Sequence, residues 1–411
     1  MNLIALFRQA APRLLWSGQL VSAAGDRLYA AALTWLTLRL TGSPGAVSLV
    51  TLAGTLPFLA SSAISGALAD RHDGLRLARA ANIAQVLAVS VIPVAYLAGH
   101  LDLVILAAAA AGLSALEAFC LPVLQASLPR LVERQWLTPM VSLLDTTDRL
   151  ARVIGPGAVG ALIAFLPAIH LFTIDAASFA VSAWCLGRVA RRARPGPVPA
   201  IPQAARARPQ RRTAGWQVLW RHGALRRAVA LRGACNLAWP AFTIGAPFLM
   251  AGHYHRGAGS YGLALGAFGA GNLIGNALAG RAREPRLLRL CRTAWALSGL
   301  GLIAMAAAPG YYFFVLACAG TGTCTPLANV TVDAHIARSV DLALLARAYT
   351  AQRLVVVAAT AAGLPAAAIT VSRLGAPAAL ALAGAFITGA AALAGARRIS
   401  PWTWRRPGPR G

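Results

Sequence analysis

Lysine is absent from this 411-residue chain and acidic residues are few: 12 Asp and Glu stand against 38 basic residues, all arginine. Only 12% of residues are charged, against roughly a quarter in an ordinary soluble domain. With 58% hydrophobic residues and a mean hydropathy of +0.62, disorder is excluded, because a disordered chain needs the opposite balance. A water-soluble globule is disfavoured too, since it could not hide this much apolar surface. The six cysteines form no CxxC pair and mostly fall inside apolar runs, so they read as small core residues without a disulfide framework. No P-loop, HExxH or Ser/His/Asp arrangement is present, which argues against an ATP-driven pump. His253-Tyr254-His255 has no acid or cysteine beside it and reads as a solvated loop.

What remains is a net charge of +26 and long uncharged stretches. The charge alone suggests a nucleic-acid binder; its placement does not. A spanning helix needs roughly 20 mostly apolar residues. Spans are expected at 14–38, 45–69, 78–99, 102–125, 139–166, 168–187, 229–251, 258–280, 288–308, 310–332, 348–371 and 374–396, twelve in all. Counted with the N-terminus inside, thirty arginines fall in inner segments and three (Arg39, Arg256 and Arg373) in outer loops. That asymmetry predicts both termini on the cytoplasmic side of the plasma (inner) membrane. Met1–Trp16 lacks a cleavage site and is read as no signal peptide.

The predicted organisation is an N-terminal six-helix bundle (1–187), a basic cytoplasmic linker (188–227), a C-terminal six-helix bundle (228–396) and a basic tail (397–411). The linker holds eleven arginines, five prolines and no acid; it is too polar to insert and too proline-rich to fold alone. The halves share traces of a repeat. Pro122 precedes Arg149-Leu150 by 27 residues, as Pro326 precedes Arg353-Leu354, and Gly66–Arg71 corresponds to Asn276–Arg281.

Charged groups within spans are costly, so each is a functional candidate. Asp26 and Glu117 are expected to be the deep pair, with proton coupling and a structural role both open for each. Asp145, Asp148, Arg149 and Arg152 cluster at the start of the fifth span, where Asp148 and Arg152 could satisfy each other. Asp175 and Asp333 are expected near membrane edges, as helix caps or salt-bridge partners. Gly262/Gly266 and Gly271/Gly275 have the spacing that lets helices approach closely.

Between the second and third spans, Gly66-Ala-Leu-Ala-Asp70-Arg71, followed by Gly74, Arg76 and Arg79, resembles the loop signature of the major facilitator superfamily, with His72-Asp73 as a one-residue stretch. Gly25-Asp26-Arg27, Leu40-Thr-Gly-Ser43, Leu56-Pro57, Leu128-Pro129 and Asp175-Ala-Ala-Ser-Phe179 resemble its drug:proton antiporter group, which holds macrolide-efflux proteins and the enterobactin exporter. Gly155-Pro156-x-x-x-Gly160, preceded by Arg152, is similar to that group's helix-five motif, although Val159 replaces one of its glycines.

The resemblance implies an all-α integral membrane protein, with twelve transmembrane helices arranged as two six-helix bundles rocking about a central site. It implies a gating role for Gly66, Asp70, Arg71, Arg76 and Arg79, and a cavity lined by Asp26, Glu117, Asn236, Trp239, Asn329 and Asp333. The expected function is proton-coupled export of a small amphipathic compound (a drug, macrolide or siderophore) by alternating access, and no enzyme activity. An importer or lipid flippase of the same fold is the alternative, followed by a membrane-embedded lipid enzyme. Expected partners are that substrate and the lipid bilayer, with no nucleic acid, no metal and no cofactor beyond the coupling ion, taken as H+. A monomer is expected.

Overall fold

The computed structural model describes residues 7, 9–57, 74–128, 165–192, 214–221, 223–279, 287–340 and 342–396, with scattered positions between 136 and 162. All elements among these residues are helices. In chain order they are α1 (Ala10–Thr41), α2 (Pro44–Ala53), α3 (Gly74–Leu97), α4 (Leu103–Ser127), α5 (Ala168–Arg192) and α6 (Ala214–Arg221). There follow α7 (Gly223–Ala238), α8 (Pro240–Phe248), α9 (Ala258–Ala279), α10 (Leu287–Ala306), α11 (Tyr311–Ser339) and α12 (Leu342–Ala396). A π turn, Leu249–His253, extends α8. Helix α12 is two helices broken at Gly375, where φ is 83°.

Local chemistry sets the turns. The N–H of Gly42, in the left-handed region, closes α1 on the Leu38 carbonyl at 2.7 Å. Ser43 then caps α2 by accepting from the Ala46 N–H at 3.3 Å, with Pro44 in the first helical position. Asp102 does the same for α4 through the Ile105 N–H at 2.8 Å.

Several helices are built inside out for water. On α3, Asn82 and Gln85 are buried while Leu87, Val91 and Val94 are exposed. On α10, Ser298 is buried while Leu297 and Leu300 are exposed. Polar atoms facing neighbours and aliphatic side chains facing outward is the arrangement a hydrocarbon solvent favours. Among the described residues, seven helices are long and apolar enough to cross a membrane, counting α7–α8 together and α12 once. Most of the expected fifth span and the inner part of the second lie outside the described residues, so twelve is not reached among them.

Two expectations change. The tenth span continues as α11 to Ser339, so Asp333 and His335 lie within a helix and not at its end. The linker is also more structured than its prolines suggest: α5 extends to Arg192, and α6 packs against α12.

In the first half α1 and α3 pack on α5, and α3 on α4; in the second, α9 and α10 pack on α11, and α7 and α10 on α12. The halves meet through α2 against α12 and through α1 and α2 against α8. There Trp35 stacks on Tyr261 (5.5 Å, 17°), and Trp35, Leu38 and Val47 join the apolar core of the second half. The arginine count assigns this end to the outside.

Candidate functional site

The first half gathers its polar groups where α1, α4 and α5 converge. Asp175, expected near a membrane edge, is fully buried on α5 (0% exposed) and faces Gly25 of α1. Gly25 is the reason the helices fit: a Cβ there would overlap Asp175 Oδ1 and Ser178 Oγ. Ser178 donates to the Asp175 carbonyl at 2.8 Å, and its hydroxyl lies 3.3 Å from Oδ1. Asp175 Oδ2 is buried with no hydrogen-bond partner among the described residues, and so is the Tyr29 hydroxyl one turn along α1. The Tyr29 ring is fixed edge-on against Phe172 at 5.5 Å. Sequence reasoning misplaced Asp175 because its eighth position in the helix resembles an end. The available signal was Ser178, which lies one turn away on the same face.

The two carboxyls expected to be deep are less enclosed. Asp26 is half-buried on α1 and Glu117 is exposed on α4. Glu117 nevertheless lies within electrostatic reach of Asp175, and both Asp26 and Glu117 lie within reach of Cys120. Three carboxyls from three helices therefore share one region. Arg27 joins from the other side of α1, its stem lying where a Cβ on Gly155 would fall, so that the expected fifth span supplies a bed for it. Arg152, Pro156 and Gly160 of the helix-five motif, and Asp145, Asp148 and Arg149, lie outside the described residues.

The second half treats its charge differently. Arg232 Nη1 of α7 donates to Asp333 Oδ1 of α11 at 2.7 Å, and Gln352 Nε2 of α12 donates to the same oxygen at 3.2 Å. Tyr349 donates to the Asp333 carbonyl at 3.0 Å. The salt bridge expected for Asp333 is present, but it ties three helices together and does not cap one. Asn236 and Asn329 lie one turn from Arg232 and Asp333 on the same helix faces. Asn236 gives its amide to the Arg232 carbonyl at 2.8 Å. Trp239 packs with Phe242 and Phe268, at 5.5 and 5.9 Å between ring centroids. Of the second-half cavity candidates, Asp333 is tied to α7 through Arg232, and Trp239, between α7 and α8, lies in an aromatic group with Phe242 and Phe268.

Of the loop signature, Gly66, Asp70 and Arg71 lie outside the described residues. Arg76 and Arg79 are exposed on the first turns of α3, with the Arg79 guanidinium against Gly187 of α5. The close-packing reading of Gly271 and Gly275 fits: a Cβ on either would run into the backbone of α11 at Ala319 or Thr323.

A family model described as transmembrane secretion effector matches residues 2–405. The chain belongs to this family of the major facilitator superfamily. Within curated proteins it is similar to the multidrug efflux pump Tap of Mycolicibacterium fortuitum, 32% identical over 169 residues, covering 40% of this chain and 41% of that one. It is also similar to the MFS-type transporter YfiS of Bacillus subtilis (strain 168), 30% identical over 170 residues, covering 41% of this chain and 40% of that one. The chain thus matches about two fifths of the length of these relatives. In fold it is similar to a bacterial homologue of the iron transporter ferroportin in an inward-facing state, with TM-score 0.71 and 16% identity over 93% of this chain and 98% of that one. A bacterial homologue of the lysosomal transporter Spinster, inward-facing and unoccupied, gives 0.64 at 13% identity, over 95% and 98%. The secretion-effector chain is therefore an all-helical, multi-pass membrane protein of the major facilitator fold.

Proposed function

We propose that this secretion effector is a secondary transporter of the plasma membrane that exports a small amphipathic compound in exchange for protons, with both termini cytoplasmic. The observation that carries the reading is the carboxyl cluster of the first half, above all Asp175. A buried carboxylate oxygen without a donor is costly, and taking up a proton removes that cost. Alternating exposure of the cluster to water and to a dry interior would then load and release the proton. The aromatic group of Trp239, Phe242 and Phe268, with Asn236 one turn from Trp239 along the chain, suits an apolar solute with one or two polar groups. The efflux function named for one relative supports the outward direction.

The test uses the full chain in vesicles with an imposed pH gradient and a panel of amphipathic antibiotics and siderophores. Asp26→Asn, Glu117→Gln and Asp175→Asn are compared with the unaltered protein. Loss of pH-driven flux in Asp175→Asn, with substrate exchange at equal pH retained, is the expected result. Undiminished pH-driven transport in all three variants sinks proton coupling through this cluster. Accumulation that rises on expression in cells reverses the direction.

A further inference from the structure

A second site lies away from the carboxyl cluster, at the end of the second half where α7 and α10 begin and α12 ends. There the helices leave an open recess lined by Ala224, Arg227, Ala228, Leu231, Leu288, Cys291, Arg292 and Ala394. Its wall is apolar apart from two guanidinium groups. Arg227 uses Nε on the Gly223 carbonyl at 3.1 Å, which leaves its terminal nitrogens to meet an anion. Arg292 Nε is buried and finds no acceptor among the described residues. Arg292 lies five residues into α10, about 7.5 Å along the helix axis. A cation at that depth, beside Leu231 and Leu288, can turn its head toward the interface while its stem stays in the apolar wall.

Two arginines over an aliphatic recess at a membrane edge match a ligand with an anionic head and a hydrocarbon body. We infer that the recess holds an anionic phospholipid of the inner leaflet, its phosphate between Arg227 and Arg292 and an acyl chain against Leu231, Leu288 and Ala228. Basic pockets between spanning helices on the cytoplasmic side take such headgroups by charge complementarity. The inner leaflet is the side to which the arginine asymmetry assigns these helix ends. A small soluble phosphate would engage the arginines and leave the apolar wall unused.

The experiment measures retention of phosphatidylglycerol and phosphatidylcholine by the full chain in neutral detergent, by native mass spectrometry and by the lipid-induced rise in melting temperature. The unaltered protein should retain phosphatidylglycerol in preference. Arg227→Gln and Arg292→Gln should each weaken retention about fivefold, the effect of one basic residue at an anionic membrane surface. Leu231→Trp, which fills the recess and keeps both charges, should lower retention as well. Arg289→Gln, on the exposed side of α10, should change nothing. Equal retention by Arg292→Gln and Arg289→Gln overturns the site, as does an equal response to phosphatidylcholine. Displacement of the lipid by glycerol phosphate overturns the acyl half of the assignment. None of these readouts depends on transport.

Discussion

The two halves of this secretion effector handle intramembrane charge in opposite ways. In the second, Asp333 is matched: Arg232 and Gln352 share one of its oxygens, and Tyr349 holds its carbonyl. In the first, Asp175 Oδ2 is buried and has no donor among the described residues. A satisfied pair fixes one arrangement, because separating it leaves a charge stranded in a poor solvent. An unsatisfied carboxyl is stable in that place only while its surroundings or its protonation can change. On the proposed function, the contrast separates a half that would lock from a half that would switch.

The sharpest way to break the comparison is to neutralise each half in turn. Asp175→Asn is expected to reduce pH-driven flux to the level of protein-free vesicles while the protein still inserts and elutes as one species. Asp333→Asn should instead be felt first in stability. If the two variants lose coupling equally, the division between switch and lock fails.

Next in size is Gly25→Ala, whose new Cβ must push Asp175 and Ser178 aside. Overpacking of this kind costs about 1–3 kcal/mol. Melting temperature and pH-driven flux should fall together, whereas Gly271→Ala, against the α11 backbone, should lower stability and spare coupling.

The ion pair can be measured directly. Arg232→Gln or Asp333→Asn should each destabilise by on the order of 2 kcal/mol, less than a fully buried pair because both side chains keep some exposure. The double variant should recover part of that loss, and strict additivity in unfolding measurements would mean that the pair is not coupled.

Smallest is Asn236→Ala. Its amide bonds only to its own helix, so a change of under about 1 kcal/mol is expected. A larger loss in transport than in stability would show that Asn236 meets substrate.

Much of the architecture was legible in the chain. Long uncharged runs bounded by arginine marked the helices, since neither feature depends on what packs against what. The first turn, Gly42-Ser43-Pro44, rests on backbone preferences that are local to each residue. The candidate site was less legible. Asp26 and Glu117 were singled out because they interrupt apolar runs, but the structure leaves Asp26 half-buried and Glu117 exposed. Asp175 looked like an end residue because depth was judged from position along its own helix. Burial depends on the neighbour, here the bare face of Gly25 on α1, about 150 residues earlier. Asp333 was expected as a helix cap or a salt-bridge partner from its place near a span end, but no spacing rule named Arg232, 101 residues away, as the partner.

By itself the sequence determined the solvent of this protein and the approximate length and order of its described helices. These follow from transfer energies and backbone preferences summed residue by residue. The tertiary structure alone decided which carboxyl is enclosed and which is matched, because a buried polar atom's cost is set by the donors that reach it from other helices. It also decided that two arginines, 65 residues apart, face a single apolar recess.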